Sequence, residues 1–168
     1  MASSRTALGV VLILIAALIG VLLWTGTRTQ SSSAEDLPDI SLEEFETKLA
    51  SLEGDKPVVL NFWASWCPPC RAEAGDLEKA WQQYKDRVEF IGIDIQNDTV
   101  DAALDFMDEF NVTYPQVRDS SGRIGTTYKL SGVPETFLIT KDGEQADHIL
   151  GATTFEKLST SIEEKLLE

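Results

Sequence analysis

The sequence is poor in the residues that build metal sites and disulfide frameworks: it has two cysteines, Cys67 and Cys70, and one histidine, His148. Two cysteines three positions apart exclude an internal framework of structural disulfides. A structural zinc needs four ligands, so neither a metal nor another cofactor is expected, and His148 reads as an ordinary surface or half-buried side chain. Basic residues are also scarce. From Glu35 onward 12 Lys and Arg stand against 28 Asp and Glu, a net charge of −16. Nucleic acid is excluded as a partner, because phosphate neutralisation needs clustered Lys and Arg. The charge keeps the acidic part soluble and away from anionic membrane surfaces. No internal repeat occurs, and the length suits one domain with a sizeable core.

The first 34 residues contain no acid at all. From Ala7 to Trp24 every residue is apolar or glycine. As a helix this run spans ~27 Å at about 1.5 Å per residue, close to a ~30 Å hydrocarbon core. It reads as a single transmembrane signal-anchor after a short flank, residues 1–6. A cleaved secretory signal has a shorter apolar region, typically about 7–15 residues. No cysteine follows the run, which excludes a lipoprotein tether. Arg5 and the amino terminus precede it and Arg28 follows, and a short basic flank favours the amino end inside. The rest of the chain is then expected on the extracytoplasmic side of the cell membrane. Residues 25–36, with Ser31-Ser32-Ser33, read as a flexible tether.

Beyond the tether the periodicity alternates. Ser41-Leu42-Glu43-Glu44 has the form of a capping box, flanked by Ile40 and Phe45 in staple positions, and opens a helix. Pro57 to Trp63 suits a buried strand. Glu73 to Tyr84 has helical spacing, Val88 to Ile95 reads as a strand, Val100 to Phe110 as a helix, and Ser121 to Leu130 as a short helix. Thr136 to Thr140 and Gln145 to Leu150 read as a hairpin about Asp142-Gly143. A last helix opens with a capping box from Thr153 to Glu156. The order predicts an α/β fold, a mixed sheet with helices on both faces.

A strand running into Cys67-Pro68-Pro69-Cys70 and then a helix sets the first cysteine at the helix N-terminus. The helix dipole there favours thiolate over thiol and can lower a thiol pKa from about 8.5 to about 3.5–7.5. Cys67 is the expected nucleophile. Cys70, one turn in and shielded, is placed to resolve a mixed disulfide. The two prolines suit the first helical turn, where amide donors have no intrahelical partner.

The stretch Phe62-Trp63-Ala64-Ser65-Trp66-Cys67-Pro68-Pro69-Cys70, together with Gly132-Val133-Pro134-Glu135-Thr136-Phe137, resembles the thioredoxin superfamily. The chain from Leu37 to Glu168 is similar to its extracytoplasmic TlpA/ResA/CcmG-type branch. The resemblance implies a thioredoxin-like fold, a TlpA-type helical insertion around Val100 to Phe110, and a redox-active Cys67–Cys70 disulfide. It also implies a cis Val133–Pro134 bond beside the cysteines. Trp66, Pro68, Pro69, Val133 and Pro134 would dock substrate, with Glu135 on the rim setting specificity. Asn61 stands where many thioredoxins carry a buried acid, which leaves Glu73 or Glu135 to handle protons. Glu73 is read either as that catalytic group or as a solvated first-turn carboxylate. Gly75 stands where many relatives have a helix-kinking proline.

By resemblance the activity is dithiol–disulfide exchange that reduces disulfides of exported proteins, including the haem-site cysteines of apocytochrome c. A membrane thiol donor would supply the electrons. The alternatives are oxidation or isomerisation by the same pair, or a non-catalytic binding module or chaperone for exported chains. The threonine and arginine constellation of peroxidases is not evident.

Overall fold

Residues 37–168 are described by a computed structural model. The expected anchor Ala7–Trp24, the flank before it and the tether lie outside the described residues. Among the described residues no helix is long and apolar enough to cross a membrane. The elements run α1 (Leu42–Ala50), β1 (Val58–Trp63), α2 (Pro68–Tyr84), β2 (Glu89–Ile95), α3 (Val100–Glu109) and β3 (Gln116–Asp119). Then come α4 (Arg123–Thr127), β4 (Glu135–Ile139), β5 (Gln145–Leu150) and α5 (Phe155–Leu166).

The sheet has the order β3-β2-β1-β4-β5. β1, β2 and β3 are parallel, whereas β4 runs antiparallel to both β1 and β5. All six residues of β1 are buried, because a central strand covered on both faces needs apolar side chains on both. Val58, Leu60 and Phe62 pack with Phe45 of α1 and Ile124 of α4. Val59 packs on the opposite face with Leu77 and Ala80 of α2 and with Leu158 and Ile162 of α5. Trp63 and both cysteines pack against Ala103, Phe106 and Met107 of α3. The C-terminal end of β1 thus meets the N-termini of α2 and β4 at one end of the sheet.

The capping box of α1 is present, with Ser41 Oγ accepting from Glu44 N and Glu44 Oε2 accepting from Ser41 N. The hairpin turns at Gly143, whose φ of 80° lies in the left-handed region that glycine enters without steric cost. Two expectations are corrected, on β3 and on the cap of the last helix. β3 was not expected: it is four residues long and carries Gln, Arg and Asp, yet all four residues are buried, since their polar groups find partners inside. As expected, the two prolines open the helix after the cysteines, which runs from Pro68 through Gly75 to Tyr84 without a break. The last helix is capped by Thr154, whose side chain accepts from Lys157 N. Thr153 does not cap it: its hydroxyl donates to Thr154 O and its amide to Glu73 Oε2.

Candidate active site

β1 delivers the chain through a turn, with Cys67 N donating to Ala64 O, to Cys67 as the N-cap residue of α2. Pro68 and Pro69 open the helix, where a missing N–H costs no hydrogen bond. Cys67 and Cys70 are joined by a disulfide, with Cα atoms 5.3 Å apart. Cys67 Sγ accepts from Cys70 N at 3.2 Å, so a backbone donor is already aimed at the sulfur that would carry thiolate charge. Both cysteines are buried, whereas Trp66, Pro68 and Pro69 are exposed beside them.

The second wall is the segment before β4. Its Val133–Pro134 bond is cis, and Val133 O lies 3.6 Å from Cys67 Sγ. Gly151 N donates to Pro134 O, which fastens the segment to the end of β5. Although 66 positions apart in sequence, Cys67 and Val133 are brought together because β1 and β4 are antiparallel neighbours.

Glu73 lies one turn after Cys70 and is only 1% exposed, which excludes the solvated-carboxylate reading. Its Oε1 accepts from Asn61 Nδ2 at 2.9 Å, and its Oε2 accepts from Thr153 N at 2.8 Å. Burial raises its pKa from 4.5 to about 7, opposed by the hydrogen bonds from Thr153 and Asn61. Asn61 also donates to Thr136 Oγ1, so β1, β4, α2 and the start of α5 share one buried polar network.

Glu135 is not on the rim. It is 2% exposed, because its carboxylate is turned inward to bind the loop ahead of it. Oε1 accepts from Ser131 N, Ser131 Oγ and Gly132 N, and Oε2 meets His148 Nε2 at 2.7 Å. Burial opposes ionisation, but the bonds from Ser131, His148 and Gly132 outweigh it and hold the carboxyl below its usual range. His148 stacks on Phe137 at 4.0 Å between ring centroids. Sequence reasoning missed this pairing, although Phe137 and His148 are register partners across the expected hairpin.

Sequence reasoning also missed a polar cluster behind Ser65. Asp98 Oδ2 accepts from Ser65 N at 2.5 Å and Oδ1 from Ser65 Oγ at 2.7 Å. Asp94 and Arg118, an ion pair at 2.6 Å, lie next to it. The available signal was Asp94 itself, an acid between Ile93 and Ile95 in the otherwise apolar run from Phe90 to Ile95.

Sheet order and the placement of the disulfide define the thioredoxin-like class of thiol–disulfide oxidoreductases. The chain belongs to the AhpC/TSA family, which matches residues 34–146. It is similar to the thiol-disulfide oxidoreductase ResA of Geobacillus kaustophilus, 32% identical over 166 residues, which cover 95% of this chain and 92% of the relative. ResA of Bacillus thuringiensis subsp. konkukian is 30% identical over 155 residues, 89% of each chain. Among solved structures, a secreted Mycobacterium tuberculosis disulfide oxidoreductase homologous to E. coli DsbE superposes with a TM-score of 0.62 at 31% identity, covering 68% of this chain and 85% of that one. StoA from Bacillus subtilis gives 0.59 at 29% identity, covering 64% and 82%. The protein is a thiol–disulfide oxidoreductase with a thioredoxin-like fold.

Proposed function

We propose that the chain reduces disulfides of exported proteins, with Cys67 as nucleophile and Cys70 as resolving thiol. The observation that carries Cys67 as the nucleophile of dithiol–disulfide exchange is its position as the N-cap of α2, with Cys70 N donating to its sulfur, and the similarity to ResA-type oxidoreductases supports the reducing direction. The thiolate of Cys67 attacks a substrate disulfide, forms a mixed disulfide and releases one substrate thiolate. Cys70 then attacks Cys67 Sγ, which releases the second substrate thiol and closes the Cys67–Cys70 disulfide. Glu73, buried with a pKa near neutrality, is suited to take the proton of Cys70 during that attack. Trp66, Pro68, Pro69 and Val133 form the docking surface, with the buried Pro134 directly behind it and Glu135 supporting it from within.

On this reading α3 is the TlpA-type helical insertion. Residues 7–24 anchor the chain in the bilayer, and the catalytic domain works on the extracytoplasmic side. A membrane thiol donor re-reduces the pair, and apocytochrome c is one candidate substrate. The secreted state of the M. tuberculosis neighbour supports an extracytoplasmic site.

The test is Cys70→Ser in cells. Substrate polypeptides held to Cys67 by a disulfide are expected, and their absence, together with failure of the wild type to reduce a protein disulfide, would remove the proposal.

A further inference from the structure

Ser65 sits two residues before Cys67 and is held at every backbone and side-chain polar atom. Asp98 accepts from its N and Oγ, while Arg71 Nη1 donates to its carbonyl at 3.5 Å. Asp98 is itself 8% exposed and accepts from Thr99 N as well, at the start of α3. Behind it lies Asp94 of β2, 0% exposed. Arg118 of β3 spans the two acids, with Nη1 donating to Asp94 Oδ2 at 2.6 Å and Nη2 donating to the carbonyl of Asp98.

Asp94 Oδ1 is buried without a donor among the described residues. Leaving a buried carboxylate oxygen bare costs free energy. The Asp98 carboxyl is its hydrogen-bonding neighbour. A proton on Oδ1 removes the cost, because the acid then donates to Asp98 and two adjacent carboxyls carry one negative charge opposite Arg118.

We propose that Asp98, braced by a protonated Asp94 and by Arg118, is the positioning residue that fixes the Ser65–Trp66–Cys67 segment for reaction. This rests on Cys67 being the nucleophile. The groups that face Asp94 are Arg118 from β3, Asp98 from the β2–α3 turn and Asp39 from the segment before α1. Burial and the charge on Asp98 raise the Asp94 pKa to about 8, with Arg118 opposing. Above that pH two carboxylates face each other, and their repulsion pushes Asp98 off Ser65.

The experiment uses the full-length chain. In the reduced protein, the rate of Cys67 alkylation by iodoacetamide is followed against pH for wild type, Asp98→Ala, Asp98→Asn and Asp94→Asn. In the oxidised protein, where the cysteines do not titrate, tryptophan emission is followed over the same range. Asp98→Ala is expected to slow disulfide exchange about ten- to a hundredfold by misplacing Cys67, and to shift the thiol titration. Asp98→Asn, which keeps one acceptor, decides the matter in the same sense if the alanine variant does not fold. Asp94→Asn reproduces the hydrogen bonds of the protonated acid, so the alkaline change in emission of the oxidised wild type is expected to disappear. Unchanged Cys67 kinetics in folded Asp98 variants, or a transition near pH 8 that survives Asp94→Asn in a Glu73→Gln background, where the Glu73 transition is absent, would overturn the inference. If Cys67 of the reduced wild type is itself unreactive, the reading of Cys67 as nucleophile fails instead.

Discussion

Asn61 Nδ2 donates to Glu73 Oε1 at 2.9 Å, so a neutral amide on the central strand orients a buried acid on the active-site helix. The strand position that often carries a buried acid in thioredoxins here carries the donor, and the acid comes from α2. The buried acid thereby stands on the helix that carries Cys70.

This arrangement fixes a pH dependence of stability. The folded-state pKa of Glu73, about 7, lies above its ordinary 4.5, so the folded state binds the proton more tightly than the unfolded chain. Its contribution is fully present below pH 4.5 and is lost as pH rises through 7. The loss is about 3 kcal/mol at 1.36 kcal/mol per unit. Urea midpoints measured across that window are expected to fall with pH in the wild type and to fall less in Glu73→Gln. In the same variant, mixed disulfides are expected to persist longer, because Cys70 loses its proton acceptor.

The Glu135 carboxylate ties Ser131, Gly132 and His148 around the cis Val133–Pro134 bond. Glu135→Ala removes all four bonds and is expected to cost roughly 1–3 kcal/mol. Loosening the Val133 segment should raise KM for a protein disulfide more than it lowers kcat. Because the Glu135 pKa is lowered on folding, its stabilisation is present above the unfolded carboxylate range and is lost as pH falls through the folded value.

Trp66 is 56% exposed, so its indole contributes little to the core. Trp66→Ala is expected to change stability by about 0.5 kcal/mol or less while weakening turnover of protein disulfides. Small-molecule disulfides, which do not need the docking surface, should react at nearly the wild-type rate.

Ser41 is remote from the cysteines and closes the capping box of α1. Ser41→Ala should cost about 1 kcal/mol in thermal or urea unfolding with no change in disulfide exchange, which separates fold stability from site chemistry.

Strong periodicity and local chemistry made much of this structure legible in the sequence. The buried run of β1, the capping box at Ser41, the hairpin at Gly143 and the Cys67–Cys70 pair all rest on neighbouring residues. β3 was hidden because Val117 is the one apolar residue among its four, which leaves no strand pattern to read. Its polar residues are buried only because distant partners satisfy them: Trp63 Nε1 donates to Gln116 Oε1, and Arg118 pairs with Asp94. The inward turn of Glu135 was hidden for the same reason, since Ser131 and Gly132 fold back on it and His148 arrives from another strand. Thr153 looked like a helix cap because no sequence pattern reveals that its amide serves Glu73.

The reduction potential of the Cys67–Cys70 couple, measured on the full-length protein by equilibration with glutathione or a thioredoxin couple, tests most directly whether the pair works as a reductant. A strongly reducing value is expected, near the ~ −270 mV of thioredoxin. A value near ~ −120 mV, characteristic of a strong thiol oxidant, would contradict it.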